Sequence, residues 1–568
     1  MHRTLNRSWP RVIVIVLTAS AMFAACDDPG LRDALKQGES AALPSYSNDV
    51  IDDAGAKIVD VESTTPPRPA PWSEGDGGKL PVLDAGVVAS RFPSSATCGN
   101  CHSTIYKQWR TSMHSRALTS PLVVAQTNQD VALSLANTAK PDPQRLCVNC
   151  HAPTAASVTT SSTLPLAPVA RGDEGLSCAG CHQFNGNPTS GGGGISTSYQ
   201  AWLFPGDTFY GPLADAQSGN AHKSAPGVGF TQTNLTCANC HNVNLDLNHD
   251  GKTVNGEDLV LQRTFDEYAI YRAGGGTETC TTCHMPALAG ITSIADNAPN
   301  APPRVLHDHS FVGVDYALDD PAQEAAQRAS REALLRSAAR VRIDPASISR
   351  TDGLAFSVSL ENTSAGHNVP TGFAFARQMW LEVVVTANGN VVFQSGTLGA
   401  DTDDLCDASP IAENANPLAR FVVGCTAVDQ SLVNLQTKLV DNVAQKRDAT
   451  GLLVTDPDDN QPILEQALAG RETTLQFLRG GGVARSRALD GTSLAPLKPF
   501  EKRVFAYTVP QVAATQSVNI AVRLRFRHFA PYFVRALAAG QPASETPQLA
   551  PLVKAIRIVE VGSDQRTN

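Results

Sequence analysis

The second half of the chain shows the clearest alternation of apolar and polar positions. Phe356, Val358 and Leu360, then Phe505, Tyr507 and Val509, then Val518, Ile520, Val522, Leu524 and Phe526 fall two residues apart. That spacing puts each set on one face of a strand. Runs of this kind through residues 342–568 predict an all-β sandwich. Ahead of it, Asp320 and Pro321 read as N-cap and first helical residue, and Ala322, Ala325, Ala326, Ala329 and Ala333 recur at helical spacing. A connecting helix is therefore predicted within residues 318–341. Residues 96–317 carry neither period for long and bend at Gly-rich runs such as Gly191–Gly194 and Gly274–Gly276, which predicts a mainly α and irregular domain.

The N-terminal stretch follows a different pattern. Arg3, Arg7 and Arg11 precede an apolar run from Val12 to Phe23 that is too short to span a bilayer, and the small residues Ala24 and Ala25 follow. Residues 1–25 are thus predicted to be an export signal. Residues 26–95 hold no sustained period, a Pro-rich piece from Thr65 to Pro71, and 12 Asp or Glu against 6 Lys or Arg between 27 and 95. This is the composition of an extended acidic linker, with an expected span of about 45 Å if flexible.

Composition narrows the function. The 568 residues carry a formal charge of −9, and removing residues 1–25 takes away three Arg and no acid, leaving −12. A chain this acidic is not expected to bind nucleic acid, which requires clustered Lys and Arg. There are 13 cysteines, too many and too regularly placed to be incidental.

Ten of them fall in five CxxCH runs: Cys98, Cys101 and His102; Cys147, Cys150 and His151; Cys178, Cys181 and His182; Cys237, Cys240 and His241; and Cys280, Cys283 and His284. Disulfides, a thioredoxin-like pair or zinc sites could each use CxxC, but none requires a following His five times. The pattern is that of c-type haem attachment, in which two thiols bond the porphyrin and the adjacent imidazole reaches the iron as proximal ligand. Five haem c groups are expected within residues 98–284, at about 37 residues per haem, so the haems must pack on one another.

A second axial ligand decides whether each iron only carries electrons or also binds a substrate. Seven histidines lie outside the motifs and the signal: His114, His222, His249, His307, His309, His367 and His528. His114, His222, His307, His309 and His367 are the candidate distal ligands, with a surface or packing role as the alternative for each. His528, at the end of an apparent strand, is left unassigned. His249 lies in Asp246-Leu247-Asn248-His249-Asp250-Gly251-Lys252-Thr253-Val254-Asn255-Gly256-Glu257. There Asp246, Asn248, Asp250, Lys252 and Glu257 fit the spacing of a calcium loop, the alternative being a solvated acidic turn. Cys406 and Cys425 have no His neighbours and, in an exported β domain, are expected to form a disulfide.

Several of these segments resemble known families. The box Phe23-Ala24-Ala25-Cys26 resembles a bacterial lipoprotein signal, with Phe where Leu is usual, which implies lipidation of Cys26. The first motif joined to Tyr106–His114, and the fifth joined to Met285-Pro286 and His307-Asp308-His309-Ser310-Phe311, resemble multihaem c-type cytochromes related to the tetrahaem cytochrome of ammonia-oxidising bacteria. Gly366-His367-Asn368-Val369-Pro370-Thr371-Gly372 resembles a segment of multihaem cytochromes with a C-terminal Ig-like domain. The resemblance implies an exported pentahaem cytochrome, in the periplasm or at the outer membrane or cell surface. It would be membrane-anchored through Cys26 and would pass electrons between redox partner proteins rather than act as an enzyme. The alternatives are an oxidoreductase with one open haem acting on a small nitrogen or sulfur compound, and a haem-bearing sensor that docks a partner through its β domain.

Overall fold

In a computed structural model, the described residues are 50–51, 57–58 and most of 92–567. Within the last range, residues 136–149, 155–173, 186–202, 204–205, 217–220, 228–229, 231–234, 246–258, 291, 297–301, 408–417, 442–448, 450–470, 476–481, 486–487, 489–490 and 542–548 are not described. The expected signal, Cys26, the linker apart from residues 50–51, 57–58 and 92–95, Cys147 and the calcium-loop residues Asp246, Asn248, Asp250, Lys252 and Glu257 lie outside the described residues. Among those described, no helix is long and apolar enough to cross a membrane.

The N-terminal half is built from short helices and loops. Helices α1 (Ser95–Gly99), α4 (Cys178–His182), α5 (Leu235–Ala238) and α7 (Cys280–His284) each carry part or all of a CxxCH run. Between them lie α2 (Ser103–Thr111), α3 (Pro121–Leu135) and α6 (Thr264–Ala273). Short strand pairs brace the loops. Strand β1 (Thr208–Gly211) pairs in parallel with β2 (Lys223–Pro226), and β3 (Val243–Leu245) pairs antiparallel with β4 (Leu259–Gln262).

Helix α8 (Pro321–Ala338) forms as its cap predicts, with the Asp320 side chain accepting from the N–H groups of Ala322 and Gln323. Its alanines, however, face solvent. The buried side is Gln323, Glu324, Gln327, Arg331 and Leu335. Gln327 donates to the carbonyls of Thr111 and Ser310 at 2.8 Å, and Gln323 accepts from the Ala317 N–H at 2.9 Å. Glu324 and Arg331 pair at 2.6 Å. Hydrogen bonding to loop backbone, which has no periodic signature, selects this face over the alanine stripe.

The C-terminal half holds a sandwich of two antiparallel sheets and a small third one, in which β9 (Thr437–Asp441) lies between β10 (Arg471–Glu472) and β11 (Gly482–Arg485). One sheet of the sandwich orders β12 (Lys502–Val509), β6 (Leu354–Asn362) and β5 (Ala339–Ser349); the other orders β8 (Asn390–Ser395), β7 (Gln378–Ala387), β13 (Val518–Arg527) and β14 (Val559–Thr567). Phe356, Val358, Leu360, Phe505, Tyr507, Val509 and the alternate apolar residues of β13 meet in one core, as their period requires. Burial of these faces is the main stabilising term, on the order of 25 cal/mol per Å² of apolar surface removed from water.

The all-β expectation needs correction at one place. Helix α9 (Pro531–Ala539) interrupts the strands and is buried on nearly every side. It shares a core with Leu122 and Ala125 of α3, and Gln541 donates to the Ala125 carbonyl at 2.9 Å. Pro531 at its first turn and the apolar run that follows favour a buried helix within the region expected to be all β. The two halves are therefore stitched by shared apolar surface as well as by α8. Cys406 and Cys425 are bonded, with Cα atoms 5.4 Å apart.

Candidate functional site

The first, third and fifth motifs are each a single turn held by a local cap. Ser94, Ser177 and Thr279 accept from the N–H of Thr97, Gly180 and Thr282 at 3.1, 3.1 and 3.2 Å, and Thr282 returns the contact at Thr279 in a capping box. A turn of helix brings residues three apart to the same side, so the two thiols of a motif share one face and the His leads out of the turn.

The motif histidines are oriented by what their outer nitrogen meets. Nδ1 lies 2.5 Å from the Ile294 carbonyl in His102, 2.6 Å from Ala117 in His151, 2.7 Å from Tyr210 in His182 and 2.6 Å from Val312 in His284. An Nδ1–H that donates to a carbonyl leaves Nε2 with the lone pair, the arrangement a metal ligand requires. The non-motif rings follow suit. His222, His307, His309 and His367 set Nδ1 against the carbonyls of Lys223, Met285, His307 and Asn368 at 3.1, 2.7, 2.8 and 2.8 Å.

Four motif imidazoles each have a second imidazole opposite. His102 faces His222 with ring centres 6.4 Å apart, His241 faces His114 at 6.3 Å, His182 faces His309 at 6.5 Å, and His284 faces His367 at 6.2 Å. An imidazole nitrogen sits about 2.0–2.1 Å from a bound first-row metal and about 1.1 Å from its own ring centre, so two rings on one iron lie about 6.3 Å apart. The residues present fit a haem iron between each pair. His307 is exposed, bridges Ala287 in a short β contact, and is opposite no motif ring; no described imidazole faces His151 at this spacing.

Burial favours the neutral form in seven of these rings. Desolvation pushes His114 down to about 3 and His241, His309 and His367 to about 4, and it lowers His151, His182 and His284 as well. Aromatic side chains close the pockets. Phe230 stacks on His182 at 5.2 Å, Phe209 lies 5.0 Å from His222, and Phe311 meets His114 edge-on at 4.5 Å.

Thiol contacts show which motifs are neighbours. The thiols of Cys98 and Cys178, of Cys237 and Cys280, and of Cys150 and Cys240 lie close enough to perturb one another. Cys181 is close enough to Cys237 to feel its charge. The first motif thus touches the third, the third approaches the fourth, and the fourth adjoins the second and fifth. The contributors that sequence reasoning did not mark are backbone carbonyls, Phe209, Phe230 and Gln262. None belongs to a recognisable spacing.

His367 arrives from the β half. Its loop is held to α6 by Glu267, which accepts from the Asn368 N–H at 3.2 Å and from the Thr371 hydroxyl, and by Thr264 against Thr371 at 3.0 Å. Arg377 adds an ion pair with Asp315 at 2.9 Å. His528 plays no part in this set. It is 1 % exposed and packs on Tyr316 with ring centres 4.0 Å apart.

Residues 97–183, which include the first three motifs, match the model of the family described as Cytochrome c554 and c-prime. A penta-heme cytochrome c552 from Thermochromatium tepidum is similar in structure, with a TM-score of 0.45 and 19% sequence identity over 85% of this chain and 100% of that one. No curated protein matches the chain. The family match and the recurring haem-binding motif support a multihaem c-type cytochrome.

Proposed function

We propose that the chain is an exported pentahaem cytochrome c that conducts electrons, tethered to a membrane through Cys26 and its acidic linker. The observation that carries this reading is the four imidazole pairs at 6.2–6.5 Å, because an iron closed on both sides has no position for a substrate. Haem c supplies a one-electron ferric–ferrous couple when bound. The residues supply the rest: ten thiols fix the porphyrins, carbonyls orient the imidazoles, and Phe209, Phe230 and Phe311 exclude water. Neighbouring motifs are in thiol contact, which supports short steps from the first motif through the third to the fourth and on to the second or fifth. The formal charge of −9 favours basic redox partners, with association that weakens as salt rises.

A second reading attaches to the second motif. His151 has no imidazole opposite it among the described residues, which favours one iron that accepts an external ligand. Optical and EPR spectra of the purified holoprotein test both. A wholly low-spin protein that does not bind carbon monoxide supports conduction alone. One high-spin haem that binds it and turns over a small nitrogen or sulfur compound replaces that reading with an oxidoreductase.

A further inference from the structure

The four ring pairs differ in what holds their outer nitrogens. In His102, His182 and His284, and in their opposite rings His222, His309 and His367, every Nδ1 meets a backbone carbonyl, at 2.5–3.1 Å. The remaining pair has no such carbonyl on either side. His241 Nδ1 meets only the side-chain amide of Gln262, at 3.1 Å, and that amide is shared with the Thr264 hydroxyl at 3.3 Å. His114 Nδ1 is buried with no hydrogen-bond partner.

We propose that Gln262 and the unpartnered His114 make the iron between His114 and His241 the most easily reduced of the four bis-imidazole irons, so that electrons collect at the branch point. This rests on the reading of the chain as a bis-imidazole conductor. An imidazole whose Nδ1–H donates to a firm acceptor gains negative character and donates more strongly to its metal, which stabilises the ferric state. Six rings receive that push from the backbone. The last pair receives less: His114 has no partner, and the 3.1 Å contact at His241 is longer than the 2.5–2.7 Å at the motif rings His102, His182 and His284, though equal to that at His222. For His241 to keep its Nε2 lone pair for a metal, Gln262 must turn its amide oxygen to Nδ1, which then accepts at about 3.1 Å. Arg377 and Asp315, the oppositely charged groups beside His241, are paired with each other at 2.9 Å.

The position gives the effect a consequence. The fourth motif adjoins the second and fifth and approaches the third, so a neighbouring ferrous iron is oxidised as the iron held by His114 and His241 is reduced. One electron moves and no other reactant is needed. Gln262 is a positioning residue here, acting through His241.

The test is an EPR-monitored redox titration of the full-length holoprotein. The His114 and His241 planes cross at 61°, against 36°, 28° and 16° in the other pairs. Crossed imidazole planes give the more anisotropic low-spin signal, which labels this iron. As the potential is lowered, that signal should vanish before every other bis-imidazole signal. Gln262→Glu, which offers a carboxylate to Nδ1, should shift its reduction equilibrium at least tenfold toward the ferric form, about 59 mV for one electron, with the other couples unmoved. Gln262→Leu should leave it the first to be reduced. Loss of the signal after another low-spin haem, or an unchanged midpoint in Gln262→Glu, overturns the proposal while leaving the conductor intact. Absence of any crossed-plane signal overturns the His114–His241 pairing itself and the proposal with it.

Discussion

Replacing His367 by Ala removes one ring from one of the four imidazole pairs and touches nothing else that binds a motif. The loop stays anchored, because Glu267 still holds the Asn368 N–H and the Thr371 hydroxyl, and Arg377 still pairs with Asp315. The iron beside His284 should then become five-coordinate and high-spin. With four pairs among five motifs, the loss is about one quarter of the bis-imidazole signal, or about one fifth of the total iron. Spin-quantified EPR of the variant reads this directly, and added imidazole should restore the low-spin signal by refilling the position His367 leaves. His528→Ala is the matched control, since that ring packs on Tyr316 and Phe529 and opposes no motif imidazole. It should leave the spectrum unchanged and cost stability instead. An unaltered EPR spectrum in His367→Ala, with haem content intact, would refute the argument that the β half completes a haem site.

Further outcomes follow from the buried polar groups and the crosslink. Burial holds His528 well below its ordinary 6.5, with Arg331 and Arg377 opposing its protonation. As pH falls below 6.5 the unfolded chain takes up a proton that the folded chain refuses, and stability drops by up to about 1.4 kcal/mol per pH unit. His528→Phe should flatten that part of the urea-unfolding profile between about pH 5 and pH 7, and an identical slope would exclude the effect. Glu324→Ala strands Arg331, 2 % exposed, and should cost about 3–5 kcal/mol in denaturant unfolding. A loss below about 1 kcal/mol would mean that water reaches the pair. Cys406→Ser with Cys425→Ser should lose about 3 kcal/mol for a separation of 19 residues, by the chain-entropy account. Equal unfolding midpoints with and without reductant in the parent would remove that contribution.

Much of the architecture is legible in the text of the chain because it is periodic. The strands β6, β12 and β13 carry their alternation openly, and Asp320-Pro321 announces where α8 begins. The side that α8 buries is not legible, since Gln323 and Gln327 answer to the carbonyls of Thr111 and Ser310, partners set by tertiary folding. Helix α9 was hidden for a related reason. Its nearly uniform apolar run has no polar face to mark a helix, and its partner α3 lies some 400 residues away. At the site, the CxxCH runs stand out, and His367 is marked by the glycines and proline around it. The facing of rings is another matter. His114 follows the first motif closely yet lies opposite His241 of the fourth, because α2 carries the chain away from the motif it leaves. Gln262 and the carbonyls on Nδ1 have no sequence mark at all.

The loop that delivers His367 has a further implication for how the protein is made. Three of the four ring pairs are drawn from residues 102–309, whereas the His284 pair waits for a residue 83 positions downstream in the β half. A chain that stalls, is truncated, or fails to close its sandwich would still receive its porphyrins, but the iron beside His284 would lack its second imidazole. The colour of that iron therefore reports on the folding of a domain that binds no porphyrin of its own, and a surveillance protease or a simple spectrum could separate finished from unfinished molecules by the same mark.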